Sequence, residues 1–194
     1  YDVVQKRYDQ ACNVISENLG GSKESIVDEL FRVLREMGDI SGDDLASIHA
    51  FAKTKGDQDV MKYISMMRVK RFCEDHGGKC ALYSRTITLS YCRLTIDDIN
   101  GLVKILKDDN VFWLLDMSYC RLGDAGAKAL GAALRENKIS LISLNLGCNR
   151  IGDAGARALS EALKTNTTLE SLNLRDNDIG AAGARVLSDA LKEN

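Results

Sequence analysis

The 194-residue chain has the composition of a folded globular protein, with 45% hydrophobic and 28% charged residues. Its formal net charge is -2, with 12 basic and 14 acidic residues up to residue 80 and 14 of each after it. Neither part has the basic excess that binding to a phosphate backbone requires, so the composition argues against a nucleic-acid partner.

No apolar stretch is long enough to cross a membrane, and the N-terminus lacks a basic region followed by an apolar core. We therefore expect a cytoplasmic protein without membrane insertion. The chain starts with Tyr1 and stops at Asn194, at the end of a repeat, which indicates a part of a longer protein. The six cysteines lie inside periodic elements, which predicts reduced thiols rather than a disulfide framework.

Residues 1 to 80 show helical periodicity without a repeat and predict a small all-α domain or cap of four helices. Gly20 and Gly21 are expected to end the first helix, and Ser22 to cap the second. Ser41 and Asp44 have the spacing of a capping box. The positions expected to be buried are Val4, Tyr8, Cys12, Ile15 and Leu19; Ile26, Val27, Leu30, Phe31, Leu34 and Met37; Leu45, Ile48, Phe51 and Ala52; and Val60, Met61, Ile64, Met67 and Phe72.

The stretch from Leu30 to Ile64, LFRVLREMGDISGDDLASIHAFAKTKGDQDVMKYI, resembles the later helices of a death-effector-type domain. The resemblance implies a death fold, but a complete domain of that type has six helices and this chain starts too late to supply all of them. The alternative is an unrelated helical cap that shields the first repeat, because the ends of a solenoid need protection.

The segment from Cys73 to Cys80 contains two cysteines and His76, which are residue types that bind zinc. It offers three candidate ligands and no clear fourth. A helix end followed by a loop with free thiols is the simpler interpretation. We therefore expect neither a metal nor a cofactor.

Residues 81 to 194 contain a repeat of 28 or 29 residues. The segments LISLNLGCNRIGDAGARALSEALKTNTT and LESLNLRDNDIGAAGARVLSDALKEN are nearly superimposable, and two earlier copies share SYCRL. Each copy begins with the alternation of a strand and continues with the apolar spacing of a helix. About four repeats are predicted, anchored at Ile87, Leu115, Leu144 and Leu172.

A strand joined through a helix to a parallel strand forms a right-handed crossover. Strands lie about 4.8 Å apart and helix axes about 8 to 10 Å apart, so the repeat predicts a curved solenoid with the strands on its concave side. The turn after each strand has a small polar residue that can satisfy backbone groups between stacked units. These residues are Cys92, Cys120, Asn149 and Asn177.

The pattern LxxLxLxxN-x-IG-x-x-GA-x-x-L-x-x-AL closely resembles the ribonuclease-inhibitor subclass of leucine-rich repeats. That subclass is found in ribonuclease inhibitors, in the sensor arms of nucleotide-binding leucine-rich-repeat receptors, and in Ran GTPase-activating proteins. The resemblance implies an α/β leucine-rich-repeat array and, through the receptors, a connection to innate immunity. It specifies function weakly, because one scaffold serves many partners.

Strand residues at alternate positions point away from the core and define the expected binding surface. Tyr91 and Tyr119 follow two of the strands, and exposed aromatic residues are typical anchors of protein interfaces. Trp113 either belongs to this surface or packs under the helical cap. The predicted protein-binding residues are Arg85, Thr88, Tyr91, Trp113, Asp116, Tyr119, Asn145, Asn173, Arg175 and Asp176.

These patterns predict a non-enzymatic recognition module for another protein, the sensor or scaffold arm of a receptor-like protein. One alternative is a GTPase-activating protein that uses Arg85, Asn149 or Arg175 at the rim. Another is an enzyme inhibitor, which would favour a longer and more acidic surface. The last helix leaves apolar residues such as Leu191 uncovered, which predicts further repeats beyond Asn194 or self-association through this end.

Overall fold

The computed structural model describes residues 2–81, 85–108 and 112–193, except for the side chain of Glu24. Tyr1 and Asn194, the predicted outer limits of the two parts, lie outside these ranges. The described residues fall into a helical unit, residues 2–72, and a repeat unit, which contains residues 73–81, 85–108 and 112–193. Within these residues, no helix has both the length and the apolar character of a membrane span.

The helical unit is built from α1 (Asp2–Glu17), α2 (Lys23–Glu36), α3 (Gly42–Lys55) and α4 (Gln58–Asp75), of which the last three residues of α4 belong to the repeat unit. The predicted helix caps are confirmed. The Ser22 hydroxyl accepts a hydrogen bond from the Ser25 N–H, and Ser41 and Asp44 form a reciprocal capping box. Capping residues act on backbone a few positions away, which is why sequence spacing alone identifies them.

Most of the predicted apolar positions in α2 and α3 are fully buried, but Leu19 and Met37 are not. Leu19 is 72% exposed because α1 ends at Glu17, so the helical period no longer directs its side chain inward. Met37 is 40% exposed and lies at the C-cap of α2. In both cases the helix ends before the apolar pattern does.

The repeat unit contains β1 (Lys79–Ala81), β2 (Thr86–Thr88), α5 (Ile96–Asp108), β3 (Leu114–Asp116), α6 (Gly123–Arg135), β4 (Ser143–Asn145), α7 (Asp153–Leu163), β5 (Ser171–Asn173) and α8 (Ala181–Glu193). The strands form one sheet in the order β1 to β5, in which β2 to β5 are parallel. The predicted anchors are confirmed as neighbours in the sheet: Ile87, Leu115, Leu144 and Leu172.

The strand β1 was not predicted. The residues before position 81 were interpreted as a helix end and a loop, yet Lys79–Ala81 pairs antiparallel with β2 and crosses the predicted boundary after residue 80. Three residues are too few for an alternating pattern to appear, and the pairing with β2 is a tertiary contact. Gly78 permits this approach, because an added Cβ would lie 2.5 Å from the Leu89 side chain.

Successive copies of the repeat are joined by an aspartate, whose carboxylate reaches from one copy to the start of the helix in the next copy. The Asp124 Oδ1 accepts hydrogen bonds at 2.8 Å from the N–H groups of Gly152 and Gly155. In the next unit, Asp153 makes the same contacts with Gly180 and Gly183. A negative charge at a helix N-terminus satisfies free N–H groups and is favoured by the helix dipole.

A second contact between copies of the repeat is made by the small polar residue of the turn, as predicted. Asn149 is fully buried, and its Nδ2 donates to the carbonyls of Met117 and Gly147 at 2.8 and 3.2 Å. Its Oδ1 accepts from the N–H groups of Cys120 and Leu122 at 2.9 and 3.3 Å. All four bonds are to backbone, so this side chain satisfies polar groups of the turns. The Gly147 carbonyl also accepts from the Tyr119 N–H at 3.0 Å.

This burial makes one sequence prediction wrong. Asn149 was a candidate for an exposed catalytic residue at the rim in the GTPase-activating alternative, but its exposed fraction is 0%. Asn177 occupies the equivalent position and accepts from the N–H groups of Asn149 and Ile151, both at 3.0 Å. Asparagine at this position therefore has a structural role in the third and fourth copies.

Candidate protein-binding surface

The outward face of the parallel sheet presents polar rows that run across the strands. The residue that ends each strand lies beside the residue that ends the next, as the register of the four strands shows. These four side chains are half-buried or exposed, whereas the central residues of β2, β3 and β4 are buried. The row consists of Thr88, Asp116, Asn145 and Asn173.

Three members of this row also hold the turns that follow their strands. In each case the side-chain oxygen accepts a hydrogen bond from the backbone N–H two residues later, which is the geometry of an Asx turn. Asn173 additionally donates to Asn145 at 2.9 Å. The turn bonds run from Ser118 to Asp116 at 2.9 Å, from Gly147 to Asn145 at 3.1 Å, and from Arg175 to Asn173 at 2.9 Å.

Two exposed tyrosines stack on each other where the strands end. The ring centroids of Tyr91 and Tyr119 are 4.5 Å apart and the planes differ by 9°. Their exposed fractions are 72% and 49%, so the pair offers a flat aromatic surface to solvent. Both residues have left-handed backbone, with φ of 64° and 60°. That conformation is uncommon without glycine, and its recurrence places the two rings at equivalent positions of successive turns.

In the first three copies, an arginine lies two residues after the turn position that Tyr91 and Tyr119 occupy. Arg93, Arg121 and Arg150 line a groove of 330 Å³ together with Tyr91, Tyr119 and the equivalent residue of the third copy, Cys148. All three arginines are exposed. Among the described residues, none of their guanidinium groups has a carboxylate within 4 Å.

Sequence reasoning missed these arginines although a signal was present. Arginine recurs at positions 93, 121 and 150, with the same steps as the anchor residues. Attention to the strand positions alone excluded them, because they lie in the turn beyond the strand. A search of every column of the repeat for a recurring charge would have found them.

A neighbouring groove of 270 Å³ collects half of the predicted binding residues: Tyr119, Asn145, Asn173, Arg175 and Asp176. The Arg175 Nε lies 3.1 Å from the adjacent Asp176 carboxylate, and both side chains are exposed. A hydrogen bond with the Cys148 side chain raises the pKa of Tyr119 to about 12.

Two other predicted residues lie at the opposite ends of the strands. The Arg85 guanidinium carbon is 4.0 Å from the centroid of the Trp113 ring, a cation–π contact, and Trp113 is 41% exposed. Both residues precede their strands, whereas Tyr91 and Tyr119 follow theirs. Because the strands are parallel, the predicted set divides between two rims of the sheet.

In the segment from Cys73 to Cys80, the cysteine and histidine side chains contact neighbouring residues of the chain. A hydrogen bond between the Cys73 and Cys80 side chains, together with burial, raises the pKa of Cys73. The His76 Nε2 lies 3.1 Å from the Asp98 carboxylate. In the part of the chain that the structure describes, no group of three or more potential ligands is arranged to hold a metal ion.

Comparison with known proteins agrees with this architecture. The family model described as a leucine-rich repeat matches residues 114–131, 137–160 and 165–188, which cover β3, β4 and β5 and most of α6, α7 and α8. These residues therefore match leucine-rich repeats. A search of curated proteins found no significant match.

Among solved structures, a similar fold is that of "Leiomodin-1 Actin-Binding Site 2 (ABS2)". It is 24% identical, has a TM-score of 0.53, and covers 67% of this chain and 72% of that one. This likeness shows the fold of the leucine-rich repeats. The leucine-rich-repeat scaffold indicates a protein-binding module.

Proposed function

We propose that this protein is a non-enzymatic recognition module that binds another protein through the outward face of the sheet and the rim where its strands end. The observation that carries the proposal is the exposed stack of Tyr91 and Tyr119 on left-handed turns beside two grooves. Rigid aromatic side chains lose little conformational freedom on binding and dominate interface energetics. A sensor or scaffold arm of a cytoplasmic receptor-like protein fits this role, on the resemblance of its repeats.

We further propose that the array has four repeats of the ribonuclease-inhibitor subclass, curved and right-handed, with the sheet on the concave side. In support, β2 and α5 precede the matched residues, β2 continues the same parallel register, and the SYCRL motif lies between the two elements. The helical unit would be a solenoid cap or a death-fold domain. Further repeats beyond Asn194 stay a prediction.

The size of the sheet face explains why the rim must take part. Four strands at about 4.8 Å spacing, each with about 13 Å of usable length, offer about 250 Å², against about 800 Å² per partner in a standard interface. The tyrosine pair and the grooves beside it extend this area. The strand residues alone would give a weak complex.

The GTPase-activating alternative has less support than binding. Asn149 is buried, Arg85 lies over Trp113, and Arg175 pairs with the adjacent Asp176. Enzyme inhibition is a form of protein binding and would use the same surface. The leiomodin structure is named as an actin-binding site, so filamentous actin is one partner to test by co-sedimentation with this chain.

The test is capture of partners by the immobilised chain from a cell lysate, followed by affinity measurement on the purified partner. Replacing Tyr91 and Tyr119 with alanine should weaken binding by about 2 kcal/mol, or about 30-fold, if the pair is a hot spot. The matched control is Lys128→Ala with Arg157→Ala, two exposed residues of α6 and α7. Loss of binding in the control and retention in the tyrosine variant would contradict the proposal.

Self-association through the C-terminal end is a second candidate that one observation favours. An apolar groove of 310 Å³ lies between β5 and α8, and Leu191 beside it is 66% exposed. If two copies meet here, the chain should show concentration-dependent mass in light scattering, and Leu191→Glu should abolish it. A mass that stays monomeric for the unchanged chain at high concentration would exclude this contact.

A further inference from the structure

We infer that the groove lined by Arg93, Arg121 and Arg150 binds an acidic segment of a partner protein, in which carboxylates contact the three guanidinium groups. The inference rests on the proposed protein-binding function and names the chemistry of the partner at that surface. This groove is called the arginine groove below.

The strand register aligns the three arginines in one row. Thr88, Asp116 and Asn145 are neighbours in the sheet, and an arginine follows each of them by five residues. With strands about 4.8 Å apart, the starting points of the three side chains span about 10 Å. Like charges this close repel each other, and a bound anion would relieve the repulsion.

The charges in the arginine groove lack partners in the described part of the chain, unlike several other cations of the repeat unit. Lys107 pairs with Glu136 at 2.8 Å, and Lys164 lies within 4 Å of two glutamates. Arg121 and Arg150 also share left-handed backbone, with φ of 58° at both. The three cations therefore line one groove without a carboxylate to neutralise them, and two of them share the same backbone conformation.

In the fourth copy of the repeat, an acidic residue replaces the arginine, so the cationic row does not continue into that copy. Asp178 occupies the position of the arginines, and Asp176 occupies the position of the tyrosines. Asp176 is paired with Arg175. The cationic row therefore ends after Arg150, and a negative ligand is confined to the first three units.

The form of the row favours a peptide over a single phosphate group. On one side of an extended chain, side chains recur every second residue, at about 6.6 Å, so two or three carboxylates fit along a row of about 10 Å. Each guanidinium can bind a carboxylate through two parallel N–H donors. The tyrosine stack offers an apolar surface to the stems of the same side chains. A nucleic acid would require a longer basic surface than three residues.

The experiment uses the full chain and a fluorescent peptide in which glutamate alternates with serine, with a glutamine version as reference. The variant R93Q, R121Q and R150Q should bind the glutamate peptide at least about tenfold more weakly, by anisotropy at 150 mM salt. The matched control, K104Q, K128Q and R157Q, removes the same number of charges from exposed positions of α5, α6 and α7. It should change the affinity less than about twofold.

A charge exchange provides a second readout that does not depend on loss of binding. The variant R93E, R121E and R150E should bind a peptide in which lysine alternates with serine, which the unchanged chain should not. Thermal melting of each variant verifies that it is folded. Equal weakening in the groove and control variants, no preference for glutamate over glutamine, or no binding in the charge exchange would overturn the inference.

Three further ligands separate the sources of negative charge. Displacement of the peptide by millimolar inorganic phosphate, or tighter binding of a phosphoserine peptide or a single-stranded RNA, would overturn the assignment to carboxylates. If lysate capture depends on Tyr91 and Tyr119 but not on the arginines, this inference fails and the proposed function stands. If the glutamate peptide binds the groove while capture depends only on Lys128 and Arg157, the proposed function fails instead.

Discussion

The helical unit and the repeat unit use polar side chains differently. In the helical unit each polar contact occurs once: the buried Arg7 reaches Asp44 at 2.5 Å, and Tyr8 donates to Asp57 at 2.9 Å. In the repeat unit the same contact recurs in successive copies, as with the carboxylates that hold the following helix. A polar contact in the helical unit stabilises one place in the fold. In the repeat unit, equivalent residues form the same contact at successive junctions between copies.

The helical unit should therefore depend chiefly on buried apolar area, and the repeat unit on polar groups that satisfy backbone. Substitutions of single polar residues are expected to cost more free energy of unfolding in the repeat unit. Five expected outcomes, from the largest effect to the smallest, test this contrast and the structure behind it.

The largest effect is expected from Asn149→Ala. The substitution removes the partner of the buried Cys120 and Leu122 N–H groups and of the Met117 carbonyl, and each such group costs about 1 to 3 kcal/mol. Because water and relaxation recover part of this, we expect a loss of about 3 kcal/mol in the free energy of unfolding. Urea denaturation measures it, with Arg150→Ala, an exposed neighbour, as the control. A loss below that of the control would break the contrast.

A loss of about 2 kcal/mol is expected from Gly155→Ala, because crowding in packed sites costs about 1 to 3 kcal/mol. The added Cβ would lie 2.7 Å from the Asp124 Oδ1 and from the Ile151 side chain. Gly101, in the middle of α5, has open space around it. Gly101→Ala should stabilise by about 0.5 to 1 kcal/mol. The same substitution thus changes sign between two helices, and equal signs in urea denaturation would contradict the packing explanation.

In the helical unit, Ser41→Ala should cost about 1 kcal/mol, as a lost helix cap does. Both of its contacts lie within one turn, so the effect should stay local. Amide hydrogen exchange measures the location: protection should fall in the first turn of α3. A drop in protection throughout α2 and α4 would show that this contact is not local.

The same capping box predicts how stability depends on pH. Hydrogen bonds from Ser41, and the Arg7 guanidinium, hold the pKa of Asp44 below its ordinary value. A depressed folded pKa means that the carboxylate stabilises the fold above the unfolded pKa of about 3.9, and that this contribution is lost as pH falls through the folded pKa. Asp44→Asn should therefore show a smaller loss of stability between pH 6 and pH 3 than the unchanged chain. An unaltered pH dependence would exclude this role.

The smallest effect concerns the thiols. Burial raises the pKa of Cys120 to about 11, and its Sγ donates to the Leu89 carbonyl at 2.9 Å. Cys120 should thus react with a thiol reagent only after unfolding, whereas the partly exposed Cys148 should react in the folded chain. Mass spectrometry after alkylation identifies both. A mass that indicates disulfides, or zinc found by elemental analysis, would contradict the expected reduced and metal-free chain.

The features that the sequence predicted well are set by short spacing or by the repeat. The caps at Ser22 and Ser41 act over three residues, and the register of the anchors follows from equal repeat lengths. The missed features depend on contacts between distant parts of the chain or on where an element ends. Leu19 continues the apolar period beyond the end of α1, and β1 exists through its pairing with β2.

The candidate surface was predicted in part for a related reason. Strand alternation identified Thr88, Asn145 and Asn173, but it could not show that Asn145 and Asn173 also hold turns. The alternating pattern ends with the strand, so it could not predict where the side chains of the following turn point. The tyrosines were found by residue type, and the arginines were missed because they lie in the turn beyond the strand, although their recurrence at the repeat spacing was visible in the sequence.

The carboxylates that reach across unit junctions also determine how this chain could be cut or extended. The start of α7 is held by Asp124, which belongs to the preceding copy, so a cassette cut at the repeat boundary would carry a helix without its anchor. Modules exchanged between arrays should therefore include the aspartate of the copy before them. At the corresponding position of the last copy stands Ala181. An engineer who appends a further copy should replace that alanine with aspartate, so that the added helix receives the anchor that α7 and α8 have.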